Sequence, residues 1–204
     1  MKIKKFKVDL RKREIIKNFK ILYPELKEIT EELNQLIEKE IKNSSNYIFP
    51  SCIFDTFNEG QIKEKFNFKI EETLDFGDFK LSDNKNIISM TFFLLSIGDR
   101  IDEEIRNLDN SGEKIHSYIV KSIGLEACQV GINFIYRIIN TEAEKENYSI
   151  LPAQKITNTD LLKKIIDVLS GNKIGISLDT NNNLIPCFCY AGFFKWYTKI
   201  KKRT

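Results

Sequence analysis

Along residues 25–42 the apolar positions Leu26, Ile29, Leu33, Leu36, Ile37 and Ile41 recur every three or four residues, with Glu and Lys between them. That spacing predicts a helix with one buried face. A shorter helix is predicted over 9–22, with Ile15, Ile16, Phe19 and Leu22 inward and Asp9 as its cap. Tyr23-Pro24 ends it, and Pro24 suits the first turn of the helix that follows. Residues 47–97 read as strands. Phe66, Phe68 and Ile70 alternate with polar residues, which marks a half-buried strand, and 76–81 is expected to pair beside it. From Ile87 to Ile97 the chain is apolar almost throughout. We read that run as a central strand buried on both faces, although periodicity alone also allows a buried helix.

Beyond Gly98 the helical period returns. Asp99 is placed to cap a helix whose inner face is Ile101, Ile105 and Leu108. The longest helix is predicted over 113–140, with Ile115, Ile119, Ile123 and Ala127 on its apolar face. Gly124, Ala127 and Gly131 form a strip of small residues along it, which lets another element approach closely. Residues 141–157 read as loop. A helix over 158–170 follows, with Gly171 as its C-cap. The stretch 173–196 has two apolar runs, 174–178 and 184–190, around the polar turn 179–183, and this predicts a hairpin. Strands and helices do not alternate steadily, so the fold class is α+β with a mostly antiparallel sheet. We expect a single domain over 1–204, with an N-terminal helical pair at 1–46 and an α+β core at 47–198.

Composition adds limits. The chain has 204 residues, 42% hydrophobic and 30% charged, enough for a core that folds alone. Fifteen Phe against one Trp and two Met point to a core filled by Phe and Ile. The net charge is only +3, and the basic residues at both ends are not joined by a basic stripe, so no nucleic-acid partner is expected. The uncharged run Asn86 to Gly98 is too short for a membrane span, which needs about 20 residues. A cytoplasmic protein with reduced cysteines is expected.

The candidate chemistry is sparse. His116 is the only histidine and reads as a surface or structural residue beside Glu113. Cys187 and Cys189 would share one side of a strand. A zinc site needs about four ligands, commonly two such pairs, and no second pair exists. Neither G-x-x-x-x-G-K-[ST] nor G-x-G-x-x-G occurs. No catalytic residue and no metal ligand is assigned.

Several blocks stand in a telling order: Leu95-Ser-Ile-Gly98 before a helix, Ile123-Gly-Leu-Glu-Ala127 on the long helix, Ile174-Gly-Ile-Ser-Leu178, and Pro186 through Gly192. Together they resemble the activation (reactivation) domain of cobalamin-dependent methionine synthase and its free-standing relatives. The resemblance covers about residues 86–196. It implies a helmet-like α+β fold around a curved antiparallel sheet. It also implies S-adenosylmethionine as ligand, with Glu126, Pro152 and Gly192 as binding residues. Cobalamin would be carried by a partner, a corrinoid methyltransferase subunit, and flavodoxin or ferredoxin would supply electrons. In that family oxidised cobalamin is reduced and then methylated by S-adenosylmethionine, which requires the two to be held in line.

The family's ligand loop reads approximately R-x-S-P-G-Y-G and falls here on Ser149 to Lys155. Pro152 is kept, whereas Ser149, Ala153 and Gln154 replace the arginine, a glycine and the tyrosine. Serine cannot pair with a ligand carboxylate as arginine does, so weak binding is expected. Arg137 and Lys155 are the cations available as substitutes. In the last block Cys189 stands where a serine is usual. Two functions are consistent with this: an accessory protein for a cobalamin-dependent methyltransferase, or a non-catalytic module that docks a corrinoid protein or other partner.

Overall fold

The structure is a computed structural model describing residues 2–26, 28–66 and 87–198, with side chains from Lys5 onward. Its centre is β3 (Ile87–Ser96), flanked by β2 (Ser51–Asn58) and β8 (Cys189–Thr198). β1 (Lys2–Lys5) extends the sheet beyond β2, and β4 (Tyr148–Ile150) and β5 (Gln154–Lys155) both pair with β8. Every described pairing is antiparallel. The fold is therefore α+β with an antiparallel sheet flanked by helices, as the element order predicts.

The unbroken apolar run of β3 follows from its position. Phe92 and Leu94 enter a core under α3 (Glu59–Phe66) and α6 (Thr159–Leu169), and Phe93 and Leu95 enter a core under α5 (Lys114–Lys145). Successive side chains on a strand point to opposite faces, so a strand covered on both sides has no polar face to show. Thr91 breaks the run on the α5 side and is fully buried. Its hydroxyl lies 2.7 Å from that of Thr56 and accepts the Trp196 indole N–H at 2.8 Å. One satisfied polar group thus ties β2, β3 and β8 together.

A third apolar cluster lies among the helices. α1 (Lys12–Leu22), α2 (Glu31–Asn43) and α4 (Arg100–Asn110) gather around the first half of α5 and bury Ile15, Phe19, Ile37, Ile101 and Ile123. Gly98, at φ +95°, makes the sharp turn from β3 into α4. Ile101, Ile105 and Leu108 are buried as the spacing predicts, and Asp99 precedes the helix, though its side chain caps nothing.

Several boundaries differ from the sequence reading, each for a local reason. α1 starts after Arg11, and Asp9 does not cap it. α2 starts at Glu31 rather than 25, because the Thr30 hydroxyl accepts the Leu33 N–H at 3.3 Å and sets the N-terminus there. Leu26 and Ile29 still pack on the helical cluster from the preceding loop. α3 interrupts what reads as continuous strand. Asn58 and Gln61 exchange side-chain-to-backbone hydrogen bonds, both 3.0 Å, which is a capping box, and Phe66 ends this helix instead of opening a strand. The strand positions Phe68, Ile70 and 76–81 lie outside the described residues. α5 runs five residues past 140, and Ile115 on its first turn is exposed. Ser170, not Gly171, adopts the left-handed conformation that ends α6, at φ 55°.

The largest correction concerns 141–157 and 173–196. The former is not all loop, since it holds β4 and β5. The hairpin is confined to β6 (Ser177–Leu178) and β7 (Leu184–Ile185), around a turn in which the Asp179 carboxylate accepts the backbone N–H groups of Asn181 and Asn183. The rest of the second apolar run leaves it through the cis peptide Ile185-Pro186 and becomes β8 of the main sheet.

Candidate functional site

The middle of α5 lies close to the chain around it because its small residues allow this. A Cβ on Gly124 would meet the Phe188 ring at 2.6 Å, and one on Gly131 would meet Leu95 at 2.7 Å. The close approach predicted from the Gly124–Gly131 strip is therefore present. Glu126 lies on this part of the helix and is almost fully buried. Arg11, at the start of α1, reaches it from 115 residues away. Nε donates to Oε1 at 2.7 Å, Nη2 to Oε2 at 3.2 Å, and the Arg11 backbone N–H also points at Oε1 at 3.4 Å. A buried carboxylate needs such a partner, and both oxygens of Glu126 are committed within the chain. The same hydrogen bonds raise the pKa of Arg11 above its ordinary value. Sequence reasoning missed Arg11, because nothing local separates it from its basic neighbours Lys12 and Arg13.

Pro152 and Gly192 lie elsewhere, where the segment from β4 to β5 runs along β8. The Leu151 N–H donates to the Lys195 carbonyl at 2.9 Å and the Ile156 N–H to the Ala191 carbonyl at 3.0 Å. Pro152 is exposed between these anchors. Gly192 is opposite Phe93 on one side and Lys155 on the other. A Cβ there would lie 2.7 Å from the Phe93 and Tyr190 rings and 2.8 Å from the Gln154 carbonyl. The glycine is required by this packing, and the rings fill the space in front of it. Pro152 thus lies on the segment that runs beside the strand carrying Gly192, while the carboxylate of Glu126 is held by Arg11.

Gln154, which the sequence marks only as standing where the resembling family has a tyrosine, carries a side-chain Oε1 that is buried with no hydrogen-bond partner. Buried acceptors are rarely left unpaired, so this atom marks a place able to take a donor. Beside it Tyr190 stacks on Phe93, with ring centroids 5.8 Å apart and planes within 9°, and burial raises the pKa of its phenol. Lys155 and Arg137 are both exposed.

Cys187 and Cys189 are both free thiols with different surroundings. Cys187 precedes β8, is exposed, and donates its backbone N–H to Asp102 at 2.8 Å. Cys189 turns its thiol to the Pro186 carbonyl at 2.8 Å. Burial pushes the thiols of Cys128 and Cys189 up to about 12, so neither is a ready thiolate. Among the described residues no three His, Cys, Asp or Glu side chains come together as a metal site. His116 lies between Glu113, 3.1 Å from Nδ1, and Glu40 of α2, 3.0 Å from Nε2. The second contact is a close ionic approach off the hydrogen-bond axis, which leaves Nε2 without an aligned partner.

No protein-family model and no curated protein sequence matches this chain. Among solved structures, the crystal structure of the MetH reactivation domain bound to AdoHcy superposes on it with a TM-score of 0.63. The overlap covers 98% of this chain and 80% of that one, at 11% sequence identity. The chain has the fold of a MetH reactivation domain. At this identity the likeness extends to the fold alone. No helix among the described residues is long and apolar enough to cross a membrane.

Proposed function

We propose that this chain is a reactivation-type module, working beside a separate chain that carries the corrinoid of a methionine-synthase-like methyltransferase, and that it binds S-adenosylmethionine or AdoHcy at the β5–β8 junction. The observation that carries this reading is the match of nearly the whole chain to a domain solved with AdoHcy bound. Fold likeness does not establish activity, so the site's chemistry must support it as well. Gln154 offers an unpaired buried acceptor for a ligand N–H or O–H. Lys155, on the same strand, offers the cation for a carboxylate that Ser149 cannot supply. Bound there, S-adenosylmethionine would supply a methyl group to the partner's corrinoid, with flavodoxin or ferredoxin as the electron source. A second reading, a docking module without methyl-donor chemistry, is favoured by one observation: both oxygens of Glu126 are already taken by Arg11.

Ligand-observed NMR with AdoHcy and S-adenosylmethionine separates the two. Weak, saturable binding is expected, and Gln154→Leu should weaken it at least tenfold. That substitution removes an unpaired acceptor, so the thermal midpoint should hold or rise. Undiminished binding by Gln154→Leu would remove the junction as the site. No binding by the wild type, with capture of a corrinoid protein, would select the docking reading.

A further inference from the structure

We infer a second ligand site, remote from the β5–β8 junction, at the end of the sheet where β1 and β2 meet the turn into α4. A cavity of about 660 Å³ opens there, within the size range that holds a small molecule. Its walls are largely apolar and include Phe6, Val8, Ile48 and Pro50. Lys5 and Lys7 also line it, and among the described residues no carboxylate does.

The second observation is Phe49. It lines the same cavity, yet 48% of it is exposed, which is unusual for a phenylalanine in a core this rich in them. The Phe49 N–H donates to the Ile97 carbonyl at 2.8 Å, which anchors the backbone carrying the ring. Gly98 lies alongside, with room for ordinary van der Waals contact. The Arg100 guanidinium carbon stands 4.8 Å from the ring centroid. An exposed ring beside a cation is a stacking platform, and covering it would recover apolar burial.

The Ser44 hydroxyl donates to the Ile41 carbonyl at 2.7 Å, whereas the Ser96 oxygen accepts the Gly98 N–H at 3.1 Å and keeps its own hydrogen to donate. The positive charge in the lining comes from Lys5 and Lys7. The ligand class that fits is a flat aromatic or heteroaromatic ring bearing a carboxylate or phosphate.

The test uses 1-naphthyl phosphate and 1-naphthoate as probes and neutral 1-naphthalenemethanol as the comparison, followed by ligand-observed NMR on the full chain. Saturable binding of at least one anion is expected, with the neutral compound at least tenfold weaker. The tighter anion identifies the headgroup. The double substitution Lys5→Ala/Lys7→Ala should weaken anion binding about tenfold, and Phe49→Ala should weaken all three probes. These side chains are exposed, so the thermal midpoint of each variant should stay near that of the wild type. Gln154→Leu should leave the probes unaffected, which keeps this site distinct from the junction. Equal binding of neutral and anionic probes, an unaffected double-lysine variant, or no saturable binding at millimolar probe would overturn the assignment.

Discussion

The two faces of the central sheet are built differently. Under α3 and α6 the contacts are mostly between rings: Phe57, Phe66, Phe92 and Phe193 form a cluster whose neighbouring centroids lie 4.8–6.0 Å apart, and the buried Lys195 sets its ammonium 5.6 Å from the Phe193 centroid. Under α5 the sheet carries the exceptions. Thr91 binds two other strands there, Gly131 and Gly192 admit close neighbours, and Tyr190 stacks beside the junction with β5. Apolar burial is non-directional and tolerant, so the first face can be filled by many ring combinations. The second depends on particular atoms at particular distances. Function is more readily placed on the second face, because directional groups already converge there at a cost in packing freedom.

The largest test of this contrast is Phe92→Ala. It removes the ring that touches Phe57, Phe66 and Phe193, and should cost about 3–5 kcal/mol in denaturant unfolding. AdoHcy binding measured well below the shifted midpoint should survive. Lost binding in a folded Phe92→Ala protein would show that the two faces are not independent. Gly192→Val comes next. Its added carbons meet two rings and a backbone carbonyl, and carbonyls yield less readily than rings, so a loss of about 1–3 kcal/mol is expected. Here ligand binding should fall together with stability. A variant that unfolds earlier yet binds normally would detach Gly192 from the site.

The smallest effect lies off the sheet, at His116. Burial alone would lower its pKa, but the contacts with Glu113 and Glu40 outweigh that and raise it above its ordinary value. The sign follows. The protonated ring stabilises the fold in full below about pH 6.5, its unfolded value. That contribution is lost as pH rises through the higher folded value. Part of the ring faces solvent, so the gain should stay under about 1 kcal/mol. Thermal midpoints of wild type and His116→Asn at pH 6 and pH 8 measure it. The gap should narrow at pH 8, and an equal gap at both would mean that the ring contributes by packing alone.

Features whose cause is short-range were legible in the sequence. The apolar run of β3 exposed its burial on both faces. Asn158 before α6 caps the Leu161 N–H at 2.9 Å, where the 158–170 pattern placed a start. The glycine strip on α5 announced close contact. The capping box at Asn58 and Gln61 was equally local, but the surrounding phenylalanines masked it by suggesting strand. The end of the second hairpin run was misjudged because strand partners are chosen by the whole sheet. β8 pairs with β3, about a hundred residues away in the chain.

The candidate site divides along the same line. The resemblance pointed to Pro152 through the ligand loop and to Gly192 through the last block, and their binding role rests on the proposal above. The unpaired acceptor on Gln154 had no signature in the sequence, since an unsatisfied group is defined by what surrounds it. Helix periods and the apolar run of β3 were determined by the amino-acid sequence alone, because each depends on residues within a few positions. The engagement of Glu126 by Arg11, the packing that requires a glycine at 192 and the stranded oxygen of Gln154 were decided only by the tertiary structure. Each depends on which distant segment folds against it, and no local pattern encodes that choice.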